Sequence, residues 1–446
     1  MSGWHVPDAR LVRKKLALVL LPLVSAAAQT GTAAWTGPSA AEIDAVYPDI
    51  EALYIDLHRN PELAFHETQT AAKLAARVKS LGYEVTEGVA GTGIVAILKN
   101  GSGPTVMLRT ELDALPVEEK TGLAFASKVV VKNEAGENVH VAHACGHDIH
   151  MSAWAGTAKL MAEHRQQWRG TLMLIGQPAE EGAAGASAML KDGLFTRFAK
   201  PDFALSLHDD DTLPVGQIGY HAGYFRAISD RVIITIIGRG GHAAAPQNTI
   251  DPIVIAARTV LALQTLVSRE NNPADPVVIT VGSIHGGTQA NIIPDEVKLE
   301  LSVRTYTEDV RRRVLASIER VAKSEAAAAN APQPPDVEVR LGTPAVYNDP
   351  ELTLRLAAAL RKALGPENVT EMPPKMTSED FAQYSLAGVP SALLHIGAVD
   401  PAKLAHAREV GIPVPAPHSP EWAPEREPTL KNAIRAEVTE LLELLR

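Results

Sequence analysis

Thr105-Val-Met-Leu-Arg-Thr-Glu-Leu-Asp-Ala-Leu-Pro116 reads as an apolar run that ends in carboxylates. Residues 105–108 have the composition of a buried strand, and Glu111 and Asp113 lie just beyond them. Similar runs stand at 93–98, 171–175 and 203–207, with helical stretches such as 151–164 between them. Strands alternating with helices predict an α/β domain: a mostly parallel sheet with helices on both faces. On the N-terminal side, 54–81 reads as helix punctuated by Asn60-Pro61.

Past Asp230 the rhythm changes. A strand over 231–237 precedes a helix that Asp251-Pro252 would start well, with Asp at the cap and Pro in the first turn. Strands at 276–281 and 297–304, a helix over 309–329 and a strand over 337–341 follow. This β-α-β-β-α-β order is the split βαβ arrangement of a ferredoxin-like α+β domain. It reads as an insertion, the lid or dimerisation domain at 228–341, into a catalytic domain made of 40–227 and 342–446. The α/β pattern then resumes with a helix at 351–364, a strand at 391–396 and a terminal helix in which Leu430, Ile434, Val438, Leu441 and Leu445 recur at helical spacing.

A chain of 446 residues exceeds what one hydrophobic core usually serves, in keeping with two domains. Its net charge of −10, with no run of like charge, lacks the footprint of a nucleic-acid binder and leaves small-molecule chemistry. Arg10, Arg13, Lys14 and Lys15 precede an apolar run and then Ser25-Ala-Ala-Ala28, so residues 1–28 read as a secretory signal peptide. The apolar run is too short for a stable membrane anchor. A periplasmic or secreted location is expected. Cys145 is the single cysteine, so no internal disulfide can form. For that thiol, burial, a nucleophile and a metal thiolate all remain open.

In an open parallel sheet the carboxyl ends of the strands form the ligand crevice. Glu111 and Asp113, Glu180 and Glu181, and His208 each follow one of the predicted strands, and His143-Ala-Cys-Gly-His-Asp148 opens a helix. Thiolate, imidazole and carboxylate together favour zinc or a similar transition metal over magnesium or calcium. Adjacent carboxylates in extended backbone point to opposite sides, so Glu180 and Glu181 can serve different tasks; the plainer reading is a solvated acidic pair.

His58-Arg-Asn-Pro-Glu62, 109–116, the His-Ala-Cys-Gly-His-Asp segment, Gln177-Pro-Ala-Glu-Glu-Gly182, Gly240-Gly-His242 and Asp251-Pro252 together resemble the M20 metallopeptidase family. They resemble most closely its subfamily D, the branch of hippurate-hydrolase-like and auxin-conjugate-hydrolase-like amidohydrolases. The resemblance implies two divalent ions per subunit, zinc, manganese, cobalt or nickel, held by Cys145, His147, Glu181, His208 and His418. It also implies that Glu180 is the general base for a metal-activated water, that Asp113 belongs to the catalytic set, and that the substrate is an N-acyl amino acid or small peptide. His242 matches an oxyanion-supporting histidine that often reaches across a dimer interface, and Asn291 and Arg304 match residues that hold the substrate's carboxylate. A homodimer follows from the same resemblance. One residue departs from the pattern: Glu111 stands where the branch has aspartate, which would shift a hydrogen bond behind the ligands. A metal-dependent binding protein without turnover is the alternative that this departure suggests. His395 within a strand, His285 at a turn and Ser378 as a helix cap read as structural.

Overall fold

The computed structural model describes residues 1–3, 35–133 and 135–446. Beyond its first three residues, the signal peptide read over 1–28 lies outside the described residues. From Trp35 the main elements are helices α1 (Ala40–Arg59) and α2 (Thr68–Ser80) and strands β1 (Glu84–Val89), β2 (Gly93–Asn100) and β3 (Thr105–Glu111). Helix α3 (His147–Glu163), β4 (Gly170–Gln177), β5 (Phe203–Pro214) and β6 (Ile218–Tyr220) follow. Next come β7 (Ile228–Ile237), α4 (Pro252–Thr265), β8 (Val278–His285), β9 (Glu296–Thr305), α5 (Glu308–Ala328) and β10 (Asp336–Leu341). Helix α6 (Pro350–Leu364), β11 (Val369–Glu371), β12 (Ser391–Val399) and α7 (Arg426–Leu444) complete the set.

The larger sheet has the order β1-β2-β4-β3-β5-β12-β6-β11. Its central four strands are mutually parallel, while β1, β2 and β6 join antiparallel. The parallel heart is the expected one, and the antiparallel members lie towards its edges. Successive residues of each central strand serve opposite faces. Val106, Leu108, Leu172, Leu174 and Leu205 pack with Leu57, Leu74, Trp154, Leu356 and Ile434 from helices α1, α2, α3, α6 and α7. Met107, Met173, Ile175 and Ala204 pack on the other side with Met189, Phe381 and Tyr384. Burial on both faces explains why these strands read as continuous apolar runs.

Helix α1 begins earlier than the sequence suggests. Ser39 and Glu42 form a reciprocal capping box, and the helix runs through Pro48. Pro48 is on the exposed side, where the carbonyl deprived of a partner can meet water.

Strands β8-β9-β7-β10 form a separate antiparallel sheet. In chain order this is 2-3-1-4, the ferredoxin-like arrangement. Val232, Ile234, Leu299 and Val303 of this sheet meet Ile255 and Leu263 of α4 and Val314 and Ile318 of α5 in a core of their own. Asp251 caps α4 through the Ile253 N–H at 2.9 Å, with Pro252 in the first turn. Its apolar Ile253, Val254 and Leu261 stay exposed.

The chain enters and leaves this sheet at one buried ion pair. Asp230 on β7 accepts from Arg311 of α5, at 2.7 Å from Nε and 2.5 Å from Nη2, and from the Gly342 N–H at 3.0 Å. Replacing Asp230 by alanine strands a largely buried guanidinium and frees the exit strand. We expect a loss of about 3 kcal/mol of unfolding free energy, read from the urea midpoint at unchanged slope; a loss below about 0.5 kcal/mol would contradict this account.

Candidate metal and amide-hydrolysis site

Strand β3 carries Arg109 and Glu111 on its last residues, and Asp113 follows at the crevice. Loop 143–147 delivers Cys145 and His147 as α3 begins, and Gly146 makes the turn with φ +76°. A Cβ at Gly146 would lie 2.1 Å from Asp209 Oδ2, so only glycine fits between loop and carboxylate. Glu180 and Glu181 follow β4, and His208 lies within β5. His418 comes from a loop before α7 whose backbone N–H donates to Ala144 O at 2.6 Å, with φ +74° at His418 itself.

These elements bring together the five residues expected as ligands. Cys145 Sγ is 3.6 Å from His208 Nε2, His147 Nε2 is 3.9 Å from Glu181 Oε1, and His418 Nε2 is 3.4 Å from Glu181 Oε2. Glu181 thus stands between the two histidines. The second nitrogen of each buried histidine is occupied: His147 Nδ1–H donates to Asp113 O at 2.8 Å and His208 Nδ1–H to Asp209 O at 2.7 Å. This pattern fixes the tautomer and turns Nε2 into the crevice.

The residues fit a divalent cation. His147 Nε2 and Glu181 Oε1 are both buried and have no hydrogen-bond partner among the described residues. Two bonds of about 2.1 Å to one ion would span their separation. Uncompensated buried polar atoms are costly, so a ligand in common explains them. Burial pushes the Cys145 thiol up, and the Glu181 charge adds to this. Its neighbours alone therefore do not create the thiolate that a cysteine nucleophile needs.

Glu180 Oε2 lies 3.8 Å from His147 Nε2. Burial, then the charges of Glu379, Glu181 and Asp380, push its carboxyl well above the usual carboxylate range. Burial works against the charged form of Glu181 too, but His418 and His147 keep that group below the usual range. The two neighbours are therefore set apart by their surroundings.

Their placement depends on buried supports. Glu67 accepts from the Ala179 N–H at 2.8 Å and from Thr92 Oγ1 at 2.5 Å, holding Ala179 at φ +50° just before the acidic pair. The Asp113 carboxylate accepts from the Glu181 N–H at 3.0 Å. Glu111 is fully buried between the Arg109 guanidinium and His150, whose Nδ1 is 3.0 Å from Glu111 Oε2. His150 Nε2 in turn accepts from the Asp209 N–H at 2.9 Å, next to His208. The departure at Glu111 thus acts two bonds behind a candidate ligand.

Arg304 lines the cavity of about 620 Å³ that contains Cys145, Glu180, Glu181, His208 and His418. His242 and Asn291 do not line it. They sit on an exposed two-strand ladder, where His242 pairs with Ile292 and its Nδ1 accepts from the Ala244 N–H at 3.0 Å. Ser378 does not cap a helix. Its hydroxyl accepts from Arg304 Nη1 at 3.0 Å, and the helix beyond starts at Ala382. His395 is in a strand, as expected, but it also lines the cavity. Burial and the Arg226 charge push it down to about 3, so it is a neutral imidazole. Arg226, Glu379, Asp380 and Lys375 were not singled out from sequence; their neighbours are distant in the chain, and only the acidic pair Glu379-Asp380 offered a signal.

A model of the peptidase family M20/M25/M40 matches residues 107–413. The chain belongs to this family. It is accordingly a metal-dependent hydrolase of amide bonds. The M20 chain is 37% identical over 346 residues to an N-acetyl-L-cysteine deacetylase of Bacillus subtilis, covering 76% of this chain and 78% of the relative. It is 36% identical to a hippurate hydrolase of Campylobacter jejuni, covering 75% and 85%. A Bacillus subtilis crystal structure described as a dinuclear metal-binding peptidase from the M20 family superposes with a TM-score of 0.73 at 28% identity, covering 90% of this chain and 99% of that one.

Behind the ligand loop of the M20 chain, His58 Nδ1 lies 2.7 Å from Asp148 Oδ2 and Nε2 lies 3.0 Å from Glu119 Oε1. Burial opposes charging this imidazole, but the two carboxylates overcome it and raise it to about 10. The folded value exceeds the unfolded one of 6.5, so the contribution is complete below about pH 6.5 and vanishes as pH rises through about 10. Wild-type stability should fall by up to about 1.4 kcal/mol per pH unit in that window, and His58→Gln should flatten the slope. Parallel urea titrations of the two proteins from pH 6 to 10 check this; identical slopes would refute it.

Proposed function

We propose that this protein hydrolyses the amide bond of N-acyl amino acids or short peptides, with Glu180 as the general base. The observation that carries the reading is geometric: Glu180 Oε2 lies 3.8 Å from His147 Nε2, which with Glu181 Oε1 forms an unpartnered pair of candidate ligand atoms. Two divalent ions at Cys145, His147, Glu181, His208 and His418 would polarise the scissile carbonyl and make water nucleophilic near neutral pH. The soft and borderline donors suit zinc, manganese, cobalt or nickel.

The remaining work falls to the chain. Glu180 takes a proton from the attacking water and returns one to the departing amine nitrogen, two duties of one carboxyl whose surroundings raise its proton affinity. Asp113 fixes His147 and the Glu181 backbone. Arg304 supplies a guanidinium fork for the carboxylate next to the scissile amide. The relatives named as deacetylase and hippurate hydrolase support this substrate class.

Glu180→Gln should retain metal stoichiometry by elemental analysis while turnover of the best substrate in an N-acetyl, N-benzoyl and dipeptide panel falls about 10²–10⁴-fold. Chelator should abolish wild-type activity, and metal should restore it. Tight binding of panel members without product, at full metal loading, would instead favour the binding-protein reading that Glu111 raises.

Export and dimerisation belong to the same proposal. The basic and apolar order of residues 1–28 supports a cleaved leader and a periplasmic or secreted enzyme. Edge strand β8 and the exposed Ile253, Val254, Leu261, Ile284 and Ile292 support pairing of two copies through the ferredoxin-like part. In this reading His242 and Asn291, which are exposed on that part of the chain, serve the cavity of a second copy. Light scattering on the secreted product should give twice the mature mass at micromolar concentration; monomer mass, or retention in the cytoplasm with residues 1–28 intact, would contradict it.

A further inference from the structure

Arg226 is 6% exposed and lines the same cavity as Cys145, Glu181, His208 and His418. A guanidinium so far removed from water ordinarily has a carboxylate beside it, because an unpaired buried charge is expensive. Among the described residues Arg226 has no such ion pair. Nη1 donates to Thr377 Oγ1 at 2.9 Å and Nη2 to His395 Nε2 at 2.9 Å, two neutral acceptors, and Nε is buried with no partner. The carboxylate behind His395, Asp210, is already shared between His395 Nδ1 at 2.5 Å and Lys375 Nζ at 2.5 Å.

Arg304, half-buried, also lacks an ion pair among the described residues. Its guanidinium donates to Ser378 Oγ and to Ser302 Oγ, again with no carboxylate among the described residues. Consecutive residues, Thr377 and Ser378, therefore hold two guanidinium groups on one cavity wall. The proposed function assigns one carboxylate to Arg304 and leaves the other guanidinium without an anion.

We propose that Arg226 is a substrate-binding residue that takes a second carboxylate, so that the preferred substrate is a dianionic N-acyl amino acid. The inference rests on the amide-hydrolysis reading above. The second carboxylate sits either on an acidic amino-acid side chain or on a dicarboxylic acyl group; both present the same planar anion to a planar fork. His395 is locked as the Nδ1–H tautomer by Asp210 and holds the fork in place, which makes it a positioning residue. Arginine cannot relieve its burial by losing a proton, so the wall stays cationic at every working pH.

Two isosteric pairs test this on the metal-loaded full enzyme: N-acetylglutamate against N-acetylglutamine, and N-succinylalanine against N-succinamoylalanine. Wild type should favour the acidic member of one pair by at least about tenfold in kcat/KM, and the pair concerned identifies where the second carboxylate lies. Arg226→Met should bring that ratio to about one while the neutral member is still hydrolysed, and Arg226→Lys should restore part of the preference. Ratios near one in both wild-type pairs, or a preference that survives in Arg226→Met, would overturn the proposal. So would an equal loss on all four substrates with unchanged circular dichroism, the mark of a structural role. No chelator-sensitive hydrolysis of any member would instead defeat the underlying amide-hydrolysis reading.

Discussion

Everything near the crevice depends on one arginine that never meets solvent. Arg109, at the end of β3, donates to Glu111, Glu379, Asp380 and Gln177, drawing together three carboxylates that would otherwise repel one another. A guanidinium is suited to this task because its donors point in several fixed directions within one plane. The consequence reaches the candidate site, since Glu379 and Asp380 are among the charges that raise the proton affinity of Glu180. Gln177 also donates to Asp380 and accepts from the Tyr384 hydroxyl, tying the end of β4 to the segment that holds them.

Around that anchor the molecule separates roles by environment rather than by residue type. Glu180 and Glu181 are chemically alike and adjacent in the chain, yet the charges of Glu379 and Asp380 bear on Glu180 while Glu181 stands between His147 and His418. Glu67 and Asp113 act on the backbone of the same loop, one at Ala179 and the other at Glu181. The left-handed backbone at Ala179 and His418 is affordable because such supports over-determine it.

Much of this was legible in the sequence because it is local. Apolar runs with carboxylates at their ends located the sheet and the crevice, and the capping residues of α4 stand where the chain announces them. The ligand set came from the family resemblance, and the fold gathers those residues. What was missed is non-local. Arg226 has no telling neighbour in sequence; its partners Thr377 and His395 are 151 and 169 positions away. Ser378 looked like a cap because Glu-Asp followed it, whereas tertiary contact turned its hydroxyl to Arg304. Helix α1 starts at Ala40, ahead of the stretch read as helix from 54, and Pro48 within it is tolerated on the exposed side.

The loop that carries His418 docks on the cysteine loop through a single backbone hydrogen bond to Ala144. In the order of synthesis, Cys145 leaves the ribosome more than 270 residues before His418 does. A nascent chain would therefore hold most of its candidate ligands long before the last one exists. On the proposed ligand set, a centre that uses both residues can close only after the chain has grown past His418, and a product cut short before it would lack one of the five ligands.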